Sequence, residues 1–221
     1  RGGQRQPGVV PMARAAAPLQ RRLLLLLLLA ACAVTALRPA KPDKRWRGST
    51  RPPRDSVLQV RKTRTQKFTV RVGDTEKELL KKRGETLEHV LTKALIWALY
   101  DDAYPSIDIE RDIGDETLKV PDCIAFDQQD APVFWGESGR MSAAKAVDIA
   151  TRYPGTHFVN VRWNVDLDTY SEPLLKALRA EAPTRSAPFE FGALAGDPRD
   201  YVDPTDGSLR ICRDDVVWTQ L

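Results

Sequence analysis

Histidine, cysteine and methionine are scarce in this chain: two, three and two residues among 221. Three cysteines do not make a disulfide scaffold. His89 and His157, neither of them near a cysteine pair, do not make a zinc site of the His/Cys kind. No glycine-rich loop of the dinucleotide or nucleoside-triphosphate type is present. The longest apolar stretch, Leu23 to Val34, has 12 residues. That is short of the roughly 20 that span a bilayer as a helix, so no stable transmembrane anchor is expected. Gly136-Glu137-Ser138-Gly139 begins like a nucleophile elbow, but Arg140 stands where the second glycine is required. A Ser-His-Asp hydrolase is therefore not expected.

The formal net charge of +4 is divided unevenly. Residues 1–66 hold 15 Lys/Arg against Asp43 and Asp55, a balance of +13, which leaves 19 basic and 28 acidic residues beyond them, a balance of −9. The basic half reads as an address. Met12 is followed by Arg14, Arg21 and Arg22, an apolar run and small residues ending at Ala36, the three parts of a secretory signal over 12–36. Residues 1–11, ahead of that methionine, read as upstream translation. From 37 to 66, ten Lys/Arg, four prolines and scattered hydroxyls against two Asp give the composition of a transit peptide, which buries no core. A signal followed by such a segment implies plastid import in the two-step manner of algae with secondary plastids; the alternative is a secreted protein with a basic tail. A third reading takes Leu29-Ala30-Ala31-Cys32 as a lipoprotein box. With Cys32 removed in the leader, Cys123 and Cys212 remain in strand-like runs, and two buried free thiols are expected.

Residues 67–221 alternate in type. Phe68 to Val72 alternates as a half-buried strand should, and Glu85 to Tyr100 places Leu87, Val90, Leu91, Ala94, Leu95 and Ala98 at helical spacing, with Thr86 available as a cap. Short strands are predicted over 106–110 and 118–126. The second pairs with 132–137 through Asp127-Gln128-Gln129-Asp130 as a hairpin. Ser142 caps a helix to Arg152, His157 to Trp163 is a strand, and Ser171 to Ala182 a helix. Residues 183–207 read as a Pro/Gly/Asp-rich loop, and 209–212 with 216–218 as a closing hairpin. Strands interleaved with helices predict an α/β domain: three layers, with a central mixed β-sheet flanked by helices.

The chemistry must lie among carboxylates. Asp122, after Pro121, and Glu137 stand 15 residues apart on the two hairpin strands. Facing the same way, they would share one hard cation such as Mg²⁺; the plainer reading is two strand-edge carboxylates in water. This is the arrangement of the PD-(D/E)XK nuclease fold, whose lysine two residues after the Glu is replaced here by Gly139.

The wider sequence carries a family resemblance. Glu85-Thr86-Leu87-Glu88-His89 through Trp97-Ala98-Leu99-Tyr100 resembles the first helix of the YaeQ family. Pro121-Asp122 and Trp135-Gly136-Glu137-Ser138-Gly139 are similar to its Glu-Pro-Asp and Trp-Ile-Glu-x-Gly segments, and Ile211 to Trp218 to its closing strands. That family is an offshoot of the PD-(D/E)XK fold in which glycine also follows the Glu. The resemblance implies a nuclease-like domain over 67–221, a Mg²⁺-binding set of Glu88, Asp122 and Glu137, and Lys145 as the catalytic lysine that orients water. The plainer alternatives are a helix-dipole role for Glu88 and a solvated helix lysine in Lys145. Val120 and His89 depart from the family's Glu and Arg. Two functions stay open: a Mg²⁺-dependent nuclease or phosphodiesterase, or a catalytically inactive nuclease-fold module for binding or regulation. A nucleic-acid partner would have to meet a local basic cleft, since the domain as a whole is acidic.

Overall fold

The structure, a computed structural model, describes residues 64–115, 117–118 and 120–221. The expected leader segments 1–11 and 12–36, most of 37–66 and the lipoprotein-like Cys32 lie outside the described residues. Among those residues no helix is long and apolar enough to cross a membrane.

Two sheets are present. Strands β1 (Gln66–Val72) and β2 (Thr75–Lys81) form an antiparallel hairpin that closes at Val72↔Thr75. Helix α1 follows at Leu87–Tyr100. The second sheet has six strands whose spatial order is their chain order: β3 (Asp108–Ile109), β4 (Cys123–Phe126), β5 (Pro132–Ser138), β6 (His157–Trp163), β7 (Phe189–Leu194) and β8 (Val216–Gln220). Its first pairs and its last are antiparallel, while β5–β6 and β6–β7 are parallel. The parallel steps need crossovers, supplied by α2 (Ala143–Arg152) and α3 (Leu167–Glu181).

The sheet has a helical layer on each face. Cys123, Ala125, Phe134, Val159 and Val161 join Leu91, Leu95 and Ile96 of α1 in one core. Their strand neighbours Ile124, Trp135, Phe158 and Phe189 join Ile149 of α2 and Leu174 and Leu178 of α3 in the other. This is the three-layer α/β arrangement with a mixed sheet. The β1–β2 hairpin adds Phe68, Val70 and Leu79 to the first core, so α1 is covered on its outer side as well. That cover explains why Val90 to Trp97 are all buried, Thr92 and Lys93 included, where the sequence pattern predicts a helix with one apolar face.

Several expectations are corrected. Strand β2 is absent from the sequence reading, because TEKELLK alternates weakly. The strand predicted over 118–126 begins only at Cys123, and that over 106–110 shrinks to two residues. Helix α3 begins four residues before Ser171: Asp166 caps it by accepting from the Thr169 N–H at 2.8 Å, and Pro173 falls inside the helix rather than in its first turn. The loop predicted over 183–207 contains β7, a fully buried strand parallel to β6 and antiparallel to β8. The predicted closing hairpin does not form. Strand β8 pairs with β7, and Leu209 bridges Val202 instead. Cys123 is buried, but Cys212 is exposed and both thiols are free.

Candidate functional site

The C-terminal end of β5 is where sequence and fold converge. Parallel crossovers carry the chain away from the sheet at these ends, and open α/β sheets place their ligand sites there. Alternation along β5 sends Trp135 and Glu137 toward α2, and Phe134, Gly136 and Ser138 toward α1. Gly136 is required by close packing: a Cβ there would lie 2.7 Å from Ile96 Cγ2. Gly139 turns the chain out of the strand at φ +80°, a left-handed conformation that glycine adopts without strain. The turn is pinned from β6. Asn160 Nδ2 donates to the carbonyls of Glu137 (3.0 Å) and Gly139 (3.1 Å), and its Oδ1 accepts from the Tyr170 hydroxyl (2.7 Å).

Glu137 and Lys145 come together. Lys145 Nζ donates to Glu137 Oε2 at 2.7 Å, and Trp135 Nε1 donates to Oε1 at 2.9 Å. Burial raises the Glu137 carboxyl above its ordinary value. The Lys145 charge pulls it down and the Asp122 charge adds to the rise. Asp122 precedes β4, one step beyond the Cys123↔Gly136 pair, and so stands across from Glu137. Its carboxylate nevertheless engages the other helix. Oδ2 accepts from the Ser138 backbone N–H and hydroxyl, both at 2.7 Å, and Oδ1 lies 3.2 Å from Lys93 Nζ and 4.0 Å from His89 Nε2. Glu88, the third expected metal ligand, instead pairs with Arg199 at 2.9 Å.

Three residues that the sequence reading gave no role in this site belong to it: Ser138 and His89, considered there only for other chemistry, and Lys93, which it did not single out. The Ser138 hydroxyl lies 2.8 Å from His89 Nδ1 as well as against Asp122. A carboxylate only accepts, so the serine proton goes to Asp122 and the imidazole donates to the serine oxygen. Serine is therefore a bridge here between carboxylate and imidazole, and the imidazole is not placed as its base. Burial pushes His89 below its ordinary value against the pull of Asp122. Lys93 sits among three carboxylates, Glu85 at 2.7 Å, Glu110 at 2.5 Å and Asp122 at 3.2 Å, with only 4% of its side chain exposed. The signal available in sequence was the i, i+4, i+8 row of Glu85, His89 and Lys93 on one helix stripe.

The arrangement does not fit the Mg²⁺ that the resemblance implies. Among the described residues no group of three or more His, Cys, Asp or Glu side chains is placed to hold a metal ion. The oxygens such an ion would take from Asp122 and Glu137 already accept from serine, tryptophan or lysine.

A cavity of about 1130 Å³ opens beside the Glu137–Lys145 pair; its lining includes Arg140, Ser142, Lys145, Asp148 and Tyr170 beside the apolar Met141 and Leu174. Of these, Lys145 and Arg140 bring positive charge, and Tyr170 is fixed through Asn160 and by accepting from the Met141 N–H at 3.1 Å.

No protein-family model and no curated protein matches the chain. Among solved structures, the YaeQ protein from Pseudomonas syringae is similar with 14% identity and a TM-score of 0.44, over 59% of this chain and 72% of that one. The YaeQ protein from Xanthomonas axonopodis pv. citri is similar with 15% identity and a TM-score of 0.41, over 72% of this chain and 96% of that one. Nothing about activity passes from likeness at this level.

Proposed function

We propose that the domain is a nuclease-like α/β module that binds a small anionic ligand and carries out no metal-dependent phosphodiester cleavage. The observation that carries the reading is the separation of the two key carboxylates. Asp122 is held from α1 and Ser138, Glu137 from α2, and each is neutralised by a lysine of its own side. A cation shared between them would have to displace both lysines. The ligand side of the proposal rests on the cavity between α2 and α3. It is somewhat roomier than the ligand pockets of most proteins, and Arg140, with Lys145 beside it, offers donors to an anionic group against Met141 and Leu174, with Asp148 as the one acid in the lining. A polyanion meets net repulsion from a domain with 28 acidic and 19 basic residues.

One observation favours the nuclease reading: Lys145 reaches Glu137 from the following helix, where a lysine could orient water although Gly139 has replaced the one expected in the strand. The deciding experiment is cleavage of single-stranded and duplex DNA and of RNA by the full chain with Mg²⁺ or Mn²⁺, beside Asp122→Asn and Glu137→Gln. The expected result is no cleavage above background by any of the three. Cleavage by the parent chain that both substitutions abolish would restore the nuclease reading and dismiss this one.

A further inference from the structure

Lys93 stands where three carboxylates at this end of the sheet converge. An ammonium has three N–H donors, and here three carboxylates converge on it, two accepting hydrogen bonds and the third facing its charge. Nζ donates charge-assisted hydrogen bonds to Glu85 at 2.7 Å and Glu110 at 2.5 Å, and Asp122 Oδ1 adds an ion-pair contact at 3.2 Å. Contacts other than those to Lys93 hold each acid in place. Glu85 is fixed in the turn before α1, where its Oε2 accepts from the Lys82 N–H at 3.0 Å. Glu110 follows β3 with φ +56°, its N–H donating to the Asp122 carbonyl at 3.1 Å, and its other oxygen meets Lys82 Nζ at 2.8 Å. Asp122 is clamped by Ser138. The cage is thus preorganised around a central positive charge, as a carboxylate metal site is, yet the charge at its centre belongs to the chain.

We infer that Lys93 is a built-in cation: its ammonium takes the position among Glu85, Glu110 and Asp122 that a hard metal ion takes in a carboxylate site, so the native chain binds no divalent metal there and acquires such a site when the ammonium is removed. The inference rests on the metal-independent reading proposed above and deepens it. Three carboxylates against Lys93 and Lys82 already leave one negative charge. Without the Lys93 ammonium the excess grows to two among half-buried carboxylates, and a hard, oxygen-seeking cation is the ligand that relieves it.

Lys93→Met is the informative change, since methionine keeps the apolar stem but ends one atom short and vacates the place of Nζ. The probes are Mn²⁺ in calorimetry and Tb³⁺ in luminescence, with the unfolding midpoint followed by circular dichroism with and without metal. The parent chain is expected to show no midpoint shift and no saturable uptake at about 10 mM Mn²⁺. Lys93→Met is expected to unfold at a lower temperature, to regain several degrees on adding metal and to bind one Tb³⁺, and Lys93→Met with Glu85→Gln to bind it at least ten-fold more weakly. Lys93→Arg, which keeps the charge, is expected to take up no metal, and it supplies a folded control.

Saturable Mn²⁺ uptake by the parent chain that Glu85→Gln removes would overturn the inference, as would a folded Lys93→Met that stays metal-blind. Should Lys93→Met fail to fold without metal, refolding with Mn²⁺ present but not with Na⁺ at equal ionic strength supports the inference, and failure in both overturns it. Cleavage dependent on Glu137 but indifferent to Glu85 would dismiss the proposed function and leave the cage untouched, so the two failures are distinguishable.

Discussion

Lys145 Nζ lies 2.7 Å from Oε2 of Glu137, and Trp135 Nε1 lies 2.9 Å from the other oxygen of the same carboxylate. Glu137 is therefore a buried acid whose charge is balanced from a helix eight residues further along the chain and whose position is fixed within its own strand. The consequences extend beyond the site, because the same strand carries the glycine that lets α1 approach and the serine that holds Asp122.

Removing Lys145 leaves that carboxylate without its ammonium. Because the Lys145 side chain is a quarter exposed, Lys145→Met is expected to cost about 2 kcal/mol, below the 3–5 typical of a fully buried pair. Adding Glu137→Gln should recover most of the loss. Burial raises the Glu137 carboxyl, so its favourable, protonated form is kept at low pH and the cost of charging it appears as pH rises through the raised value. Glu137→Gln should flatten that part of the stability profile. Urea midpoints across pH read both effects, and a Lys145→Met midpoint equal to the parent's would show that the pair carries no weight.

At the opposite end of the parallel strands, Glu190 accepts from the Tyr100 hydroxyl and from Arg213, and lies 3.0 Å from His157 Nε2. These donors hold its carboxyl down at about 2, against a burial effect that would raise it. A depressed carboxyl stabilises the fold above its ordinary value and loses that contribution as pH falls toward 2. The difference corresponds to about 3 kcal/mol. Glu190→Gln is expected to lower stability by that order at pH 7 and to remove much of the acid sensitivity below pH 4.5. Parallel acid-unfolding curves for parent and variant would contradict this.

Gly136 is a packing requirement with a named neighbour. Gly136→Ala sets a Cβ 2.7 Å from Ile96 Cγ2 and 3.0 Å from Cys123 Cβ, and such overpacking costs about 1–3 kcal/mol. Combining it with Ile96→Ala should cost less than the sum of the two, because the truncation removes the clash. Strict additivity in chemical unfolding would show that α1 does not meet β5 in this way.

The leader makes a separate prediction. A fluorescent reporter carrying residues 12–66 is expected to enter the plastid of an alga with a secondary plastid, on the strength of an apolar signal followed by ten basic residues against two acidic ones. Release into the medium would favour the secreted alternative, and retention in the cytosol would exclude the plastid, secreted and lipoprotein readings alike.

Much of the architecture was legible because its causes are local. Thr86 caps α1 and Ser142 caps α2 as their side chains predict, accepting from His89 and Lys145 N–H groups at 3.2 Å. His157–Trp163 is the strand its pattern describes, and Asp127 to Asp130 turns the β4–β5 hairpin. The site was legible in part for the same reason. Asp122 and Glu137 stand opposite each other because a hairpin fixes register, and Lys145 reaches Glu137 because a capped helix starts soon after the strand.

Other features depend on partners far away in the chain. Phe189–Leu194 becomes a buried strand because β6 and β8 flank it on both sides, although Glu190 and the surrounding prolines read as loop. Leu209 and Ser208 pair with Val202 and Arg71, which no local turn signal announces. Composition and pattern by themselves determined that an acidic α/β domain follows a basic N-terminal segment, since charge and short-range periodicity are properties of the chain. Only the tertiary structure decided what the acids do. Burying Lys93 required the sheet on one side of α1 and a hairpin on the other, and that enclosure makes a helix lysine the central cation of three carboxylates that converge from different parts of the sequence.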